Sequence, residues 1–127
     1  MAAKPEVFAH NIETIERLSD VVRPQADYRR SLEVLRLASA QAAACATTIL
    51  IKSSIMLGLG EQEDELQQAF ADLRSVGCTH LTLGQYIRPT PEHLPVMEYV
   101  SPERFANFER QAYAAGFRWI KSGPFVR

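Results

Sequence analysis

Thr47-Thr48-Ile49-Leu50-Ile51-Lys52-Ser53-Ser54-Ile55-Met56-Leu57-Gly58-Leu59-Gly60-Glu61 is an apolar run rich in β-branched residues, interrupted by one Lys-Ser-Ser step and closed by two glycines and a carboxylate. Such a run, bounded by turn residues, reads as a strand buried on both faces, which predicts a parallel sheet with helices on both sides. Gly58 and Gly60 let the backbone turn tightly or approach a ligand closely, and Glu61 opens the helix that follows. Ligands of α/β folds bind at that end of a strand.

Upstream, Val7-Phe8-Ala9 reads as a short strand that delivers His10, Asn11 and Glu13 at its carboxyl end. Ile12, Ile15, Leu18 and Val22 recur at helical spacing until Pro24 stops them, and Asp27 caps a second helix with Tyr28, Leu32, Leu35 and Ala42 along one face. Downstream, Leu66, Ala69, Phe70 and Leu73 give a helix with acids in its first turn, which suits the helix dipole, and Gly77 as its stop. His80 to Leu83 is a strand leading into Gly84, Gln85 and Tyr86; the three prolines between Arg88 and Pro95 exclude regular structure there. Ser101 and Pro102 start the last helix, Phe105, Phe108 and Ala112 form its buried face, Gly116 ends it, and Phe117 to Ile120 is a final strand. Alternating elements of this kind predict parallel strands joined by right-handed crossovers, with the polar clusters along a single edge.

The 127 residues, 46% hydrophobic, suit one domain and are too few for an eight-unit barrel. A net charge of −1 with no Lys/Arg block argues against nucleic acid or an anionic membrane as partner. No apolar run reaches membrane-spanning length, and the start has neither a signal-peptide core nor the arginines of a transit peptide. The expected setting is therefore intracellular and soluble. Cys45 and Cys78 lie in separate segments, and neither they nor His10, His80 and His93 have metal-ligand spacing.

Three segments, Val7 to Thr14, Lys52 to Glu61 and Leu83 to Thr90, together with His93-Leu94-Pro95-Val96 and the ending Ser122-Gly123-Pro124-Phe125-Val126-Arg127, resemble the lipoyl synthases. The resemblance covers almost the whole chain, in order, and looks like the C-terminal half of that family. It implies a partial (β/α) barrel of the radical S-adenosylmethionine type, here its last three or so units. It also implies insertion of two sulfur atoms into a protein-bound octanoyl-lysine on a lipoyl carrier domain. In that family one 4Fe-4S cluster cleaves S-adenosylmethionine and a second is the sulfur source. Both depend on cysteine triads that these residues lack, so the chain alone is expected to be inactive. The compartment would be the cytoplasm in a bacterium, the mitochondrion or plastid in a eukaryote.

By the same resemblance Asn11 and Glu13 match the polar pair that holds the methionyl and ribose parts of S-adenosylmethionine, with capping of a helix at Ile12 as the alternative. Ser54-x-Met56-x-Gly58-x-x-Glu61 aligns with the Gly-x-Ile-x-Gly-x-x-Glu feature that supports the adenine, Ser54 departing from its first glycine. Lys52 is a candidate for the ligand's carboxylate, Gln85 and Tyr86 for the adenine pocket, and Arg88 and Arg127 for substrate or carrier contacts. The rival reading is a non-catalytic barrel remnant or an S-adenosylmethionine- or carrier-binding module. Another radical enzyme such as biotin synthase shares the Asn11 and Glu13 logic but not the Gln85 to Thr90 segment. A half barrel leaves open sheet edges, from which self-association is expected.

Overall fold

In the computed structural model, which describes residues 6–24, 27–45 and 49–126, the strands are β1 (Glu6–Ala9), β2 (Ile49–Leu57), β3 (His80–Gln85) and β4 (Trp119–Ser122). The helices are α1 (Glu16–Val22), α2 (Tyr28–Ala44), α3 (Glu63–Ser75) and α4 (Pro102–Ala115). All pairings are parallel and the strands lie in chain order, β1-β2-β3-β4, in one sheet. This is the arrangement of successive βα units in a partial barrel. The predicted residues Thr47 and Thr48 fall outside the described segments.

The helix ends follow their capping residues. Asp27 accepts from the amides of Arg29 and Arg30, and Ser101 accepts from that of Arg104 with Pro102 in the first turn. Gly116 closes α4 in the left-handed conformation at φ 111°. At α3 the cap is Gln62, which forms a reciprocal capping box with Glu65, so the helix starts two residues after Glu61.

Other expectations are corrected as well. Burial alternates along β2: Ile51, Ser53, Ile55 and Leu57 are buried, while Lys52, Ser54 and Met56 are half-exposed. The buried row joins Leu81, Leu83 and Ile120 in a core with Leu35, Leu66, Phe70, Leu73 and Phe105 of the helices. Helices therefore cover one face, not both. The apolar look of the run arises because its second face is the concave interior of a curved sheet, where Leu50 and Met56 also sit.

Another correction concerns residues 10–14. No helix begins at Ile12; α1 begins at Glu16. His10 donates its amide to the Lys52 carbonyl, Glu13 donates to that of Ser54, and Met56 donates back to Glu13. The chain after β1 thus continues alongside β2 before it turns. The final strand also lies two residues later than expected, because Thr79 O draws the amides of Arg118 and Trp119 at its start.

Candidate functional site

A cavity of about 330 Å³ opens at the carboxyl ends of β1 to β3, lined by Asn11, Glu13, Ser54, Ile55, Met56, Gly84, Gln85, Ile87 and Val126. Parallel strands all deliver their carboxyl ends to one rim, which is why residues distant in sequence meet there. The size falls in the usual range for small-molecule sites.

Glu13 is the one non-glycine described residue with positive φ, at 67°. That conformation costs a side chain of this kind on the order of 1 kcal/mol. It is held by the two backbone hydrogen bonds to β2 and by Ser53 Oγ, which accepts from the Ile12 amide at 3.2 Å. Behind the segment Arg23 donates to the Ile12 carbonyl at 2.9 Å and to Ser31 Oγ, which also bonds His10 Nε2. Burial, and then the Arg23 charge, hold the His10 pKa below its usual value. A neutral imidazole keeps this support free of a second cation.

Beside the cavity Thr82 Oγ1 donates at 2.7 Å to the Oγ of Ser54, which lines it, so the Ser54 proton is available to a ligand. Glu13 is a pure acceptor, Asn11 both donor and acceptor, and Met56 and Ile87 supply an apolar wall. A ligand with hydrogen-bonding polar groups beside an apolar portion matches this set. The tail crosses the concave face: Val126 packs on Gly84 so closely that a side chain at Gly84 would strike the Val126 carbonyl.

Other predicted site residues are engaged elsewhere. The Gln85 amide donates to the carbonyls of Tyr86 and Glu98 and accepts from the Val100 amide, tying the 94–100 segment to the sheet. Gly58 is approached by the protein itself, its carbonyl accepting from Met97 and Glu98. The Glu61 carboxylate accepts from the amides of Gly58 and Leu59, and burial pushes its pKa up against those bonds. Tyr86 donates to the Leu94 carbonyl at 2.7 Å, and Arg88 braces the loop through the His93 and Pro91 carbonyls. Lys52 lies below the cavity, its amine 5.5 Å from the Trp119 ring centre. Arg127 lies outside the described residues.

Sequence reasoning missed Thr82, Ile87 and Val126. An alternation of polar and apolar residues in β3 signals Thr82; nothing local signals a tail valine that returns to the cavity. A second, apolar cavity of about 590 Å³ adjoins the first, sharing Met56 and Ile87, with Leu59, Tyr86, Leu94 and Pro95 among its walls.

An iron-sulfur cluster does not fit the described residues. Its irons take several thiolates; Cys45 is exposed at the end of α2, while Cys78 is buried and its thiol donates to the carbonyls of Ile51 and His80. Burial pushes the Cys78 thiol up to about 12. Among the described residues no three His, Cys, Asp or Glu side chains converge as a metal site. We predict that iodoacetamide at pH ~8 labels Cys45 alone in the native chain and Cys78 only after urea. Rapid native labelling of both would contradict the burial.

No protein-family model matches the chain. It is 52% identical over 128 residues to the lipoyl synthase of Thermus thermophilus, covering 100% of this chain and 38% of that protein. To a chloroplastic lipoyl synthase of Ricinus communis it is 54% identical over 123 residues, covering 96% of this chain and 33% of the relative. To the lipoyl synthase of Trichlorobacter lovleyi it is 50% identical over 127 residues, covering 100% and 43%. The chain thus spans 33–43% of the length of these relatives. No described helix is long and apolar enough to cross a membrane.

Proposed function

The chain belongs to the lipoyl synthase family, and we propose that it forms the S-adenosylmethionine-holding part of such an enzyme. The observation that carries this reading is the meeting of Asn11, Glu13, Ser54 and Met56 around one cavity at the strand ends. In it the Glu13 carboxylate accepts from the ribose hydroxyls, Asn11 bonds the methionyl group, and Met56 and Ile87 flank the adenine. S-Adenosylmethionine, when bound, supplies the one-electron chemistry of sulfur insertion; the residues here bind it, orient it and exclude water. The adjoining apolar cavity suits the alkyl chain of an octanoyl group presented by a lipoyl carrier domain. The cluster thiolates come from chain beyond residues 1–127, so this chain alone is inactive.

Calorimetric titration of the chain with S-adenosylmethionine tests the reading. Saturable heat with micromolar affinity is expected, and purified chain treated with iron and sulfide should develop no stable cluster absorbance. No heat at millimolar ligand would leave the chain a barrel remnant, and a stable cluster band would overturn the division of labour.

A further inference from the structure

The turn that carries Asn11 and Glu13 is held by side chains that do not line the cavity. Residues 10–14 alternate: Asn11 and Glu13 line the cavity, while Ile12 and Thr14 are buried and His10 is half-buried. The Thr14 amide donates to the Ile12 carbonyl at 2.8 Å across Glu13, whose φ is 67°. A three-residue turn with positive φ at its centre is rare and strained, so it persists only where its surroundings hold it. Backbone bonds between Glu13 and β2 hold one side. The other side rests on Arg23, the residue that ends α1. Its guanidinium donates to the Ile12 carbonyl at 2.9 Å through one terminal nitrogen and to Ser31 Oγ at 3.2 Å through the other. Ser31, buried in the first turn of α2, in turn shares a 3.1 Å hydrogen bond with His10 Nε2. One planar group therefore ties His10 and Ile12, the two neighbours of Asn11, to the junction of α1 and α2. Arg23 takes part in no ion pair among the described residues, so its donors go to a carbonyl and a hydroxyl.

We infer that Arg23 is a positioning residue of the cavity: seated on Ser31, it pins the Ile12 carbonyl and so sets the directions in which Asn11 and Glu13 meet a ligand. Neither Arg23 nor Ser31 is among the cavity walls, so their effect on a ligand passes through the turn. The consequence for binding rests on the reading of the cavity as an S-adenosylmethionine site. The clamp acts on the turn with or without a ligand.

Amide hydrogen exchange of the full chain, read by NMR, follows Glu13 and Met56, which bond across the turn and β2, against the buried Leu81 and Leu83 of β3. In Arg23→Met, which keeps an apolar stem and loses the donors, protection at Glu13 and Met56 should fall about tenfold or more while Leu81 and Leu83 keep theirs. Arg23→Lys, a point charge without the two-pronged fork, should recover part of the loss. Ser31→Ala removes the seat and leaves Arg23 and the turn in place; it should show the same pattern more weakly, and it decides the matter if Arg23→Met does not fold. Unchanged protection at Glu13 and Met56, or an equal fall at all four amides, would overturn the inference. Titration with S-adenosylmethionine then reads the effect on binding, with affinity about tenfold or more weaker in Arg23→Met and weakened less in Ser31→Ala. Equal binding by both variants and the unsubstituted chain would refute the positioning role. Weaker binding by Arg23→Met with unchanged exchange would refute it too, by making Arg23 a direct ligand contact. If the unsubstituted chain itself gives no heat, the reading of the cavity fails, whereas the exchange pattern still decides whether Arg23 sets the turn.

Discussion

Gly58→Ala is expected to lower unfolding stability by about 3 kcal/mol or more. Gly58 has φ +98°, and a Cβ there would overlap both the Glu98 carbonyl oxygen and Gln85 Nε2. The first obstacle is backbone, pinned because Met97 and Glu98 both donate to the Gly58 carbonyl. The second is the Gln85 amide, whose hydrogen bonds hold Tyr86, Glu98 and Val100. Relief of the overlap therefore separates β2, β3 and the 94–100 segment at one point. Gln85→Ala attacks the same junction by removing partners, and each buried backbone group left unpaired costs about 1–3 kcal/mol. Because both changes break one unit, the double variant should be less destabilised than the two single losses added together. Urea unfolding of the four proteins measures this. Additive losses, or a Gly58→Ala midpoint equal to that of the unsubstituted chain, would show that the junction is not a unit.

That junction also marks where sequence reading stops. The order of strands and helices, the caps at Asp27, Ser101 and Gly116, and the gathering of polar residues on one rim were all legible, because each rests on contacts within a few residues or on the geometry of parallel strands. The engagement of Gln85 was not. Its partners at Glu98 and Val100 are 13 and 15 residues away in an irregular segment, and a buried amide satisfied by backbone has the same sequence signature as one that awaits a ligand. Glu61 is a similar case, with its carboxylate folded back on the amides of its own loop. The single covered face escaped notice for another reason. Leu50 and Met56 make β2 read as apolar on both sides, whereas Lys52 and Ser54 between them already report an interior that is not a packed core. The true start of α1 depends on backbone bonds from Glu13 to β2, which no helical periodicity at Ile12 reveals.

Glu13 offers the sharpest separation of binding from folding. Its left-handed backbone at φ 67° is the conformation glycine adopts without cost. Glu13→Gly should therefore leave stability within about 1 kcal/mol of the unsubstituted chain, since relief of strain offsets the added freedom of the unfolded state. The carboxylate, by contrast, is lost entirely. Two charge-assisted hydrogen bonds to a ribose diol contribute about 1.5–3 kcal/mol each, so S-adenosylmethionine affinity should fall at least about 100-fold. Glu13→Gln keeps the reach and loses the charge; it should fall about tenfold, between the two. The conserved fold of the glycine variant makes the comparison decisive. If it binds S-adenosylmethionine as tightly as the unsubstituted chain, the carboxylate does not hold the ribose, and its strained backbone serves only to turn the chain from β1 into α1.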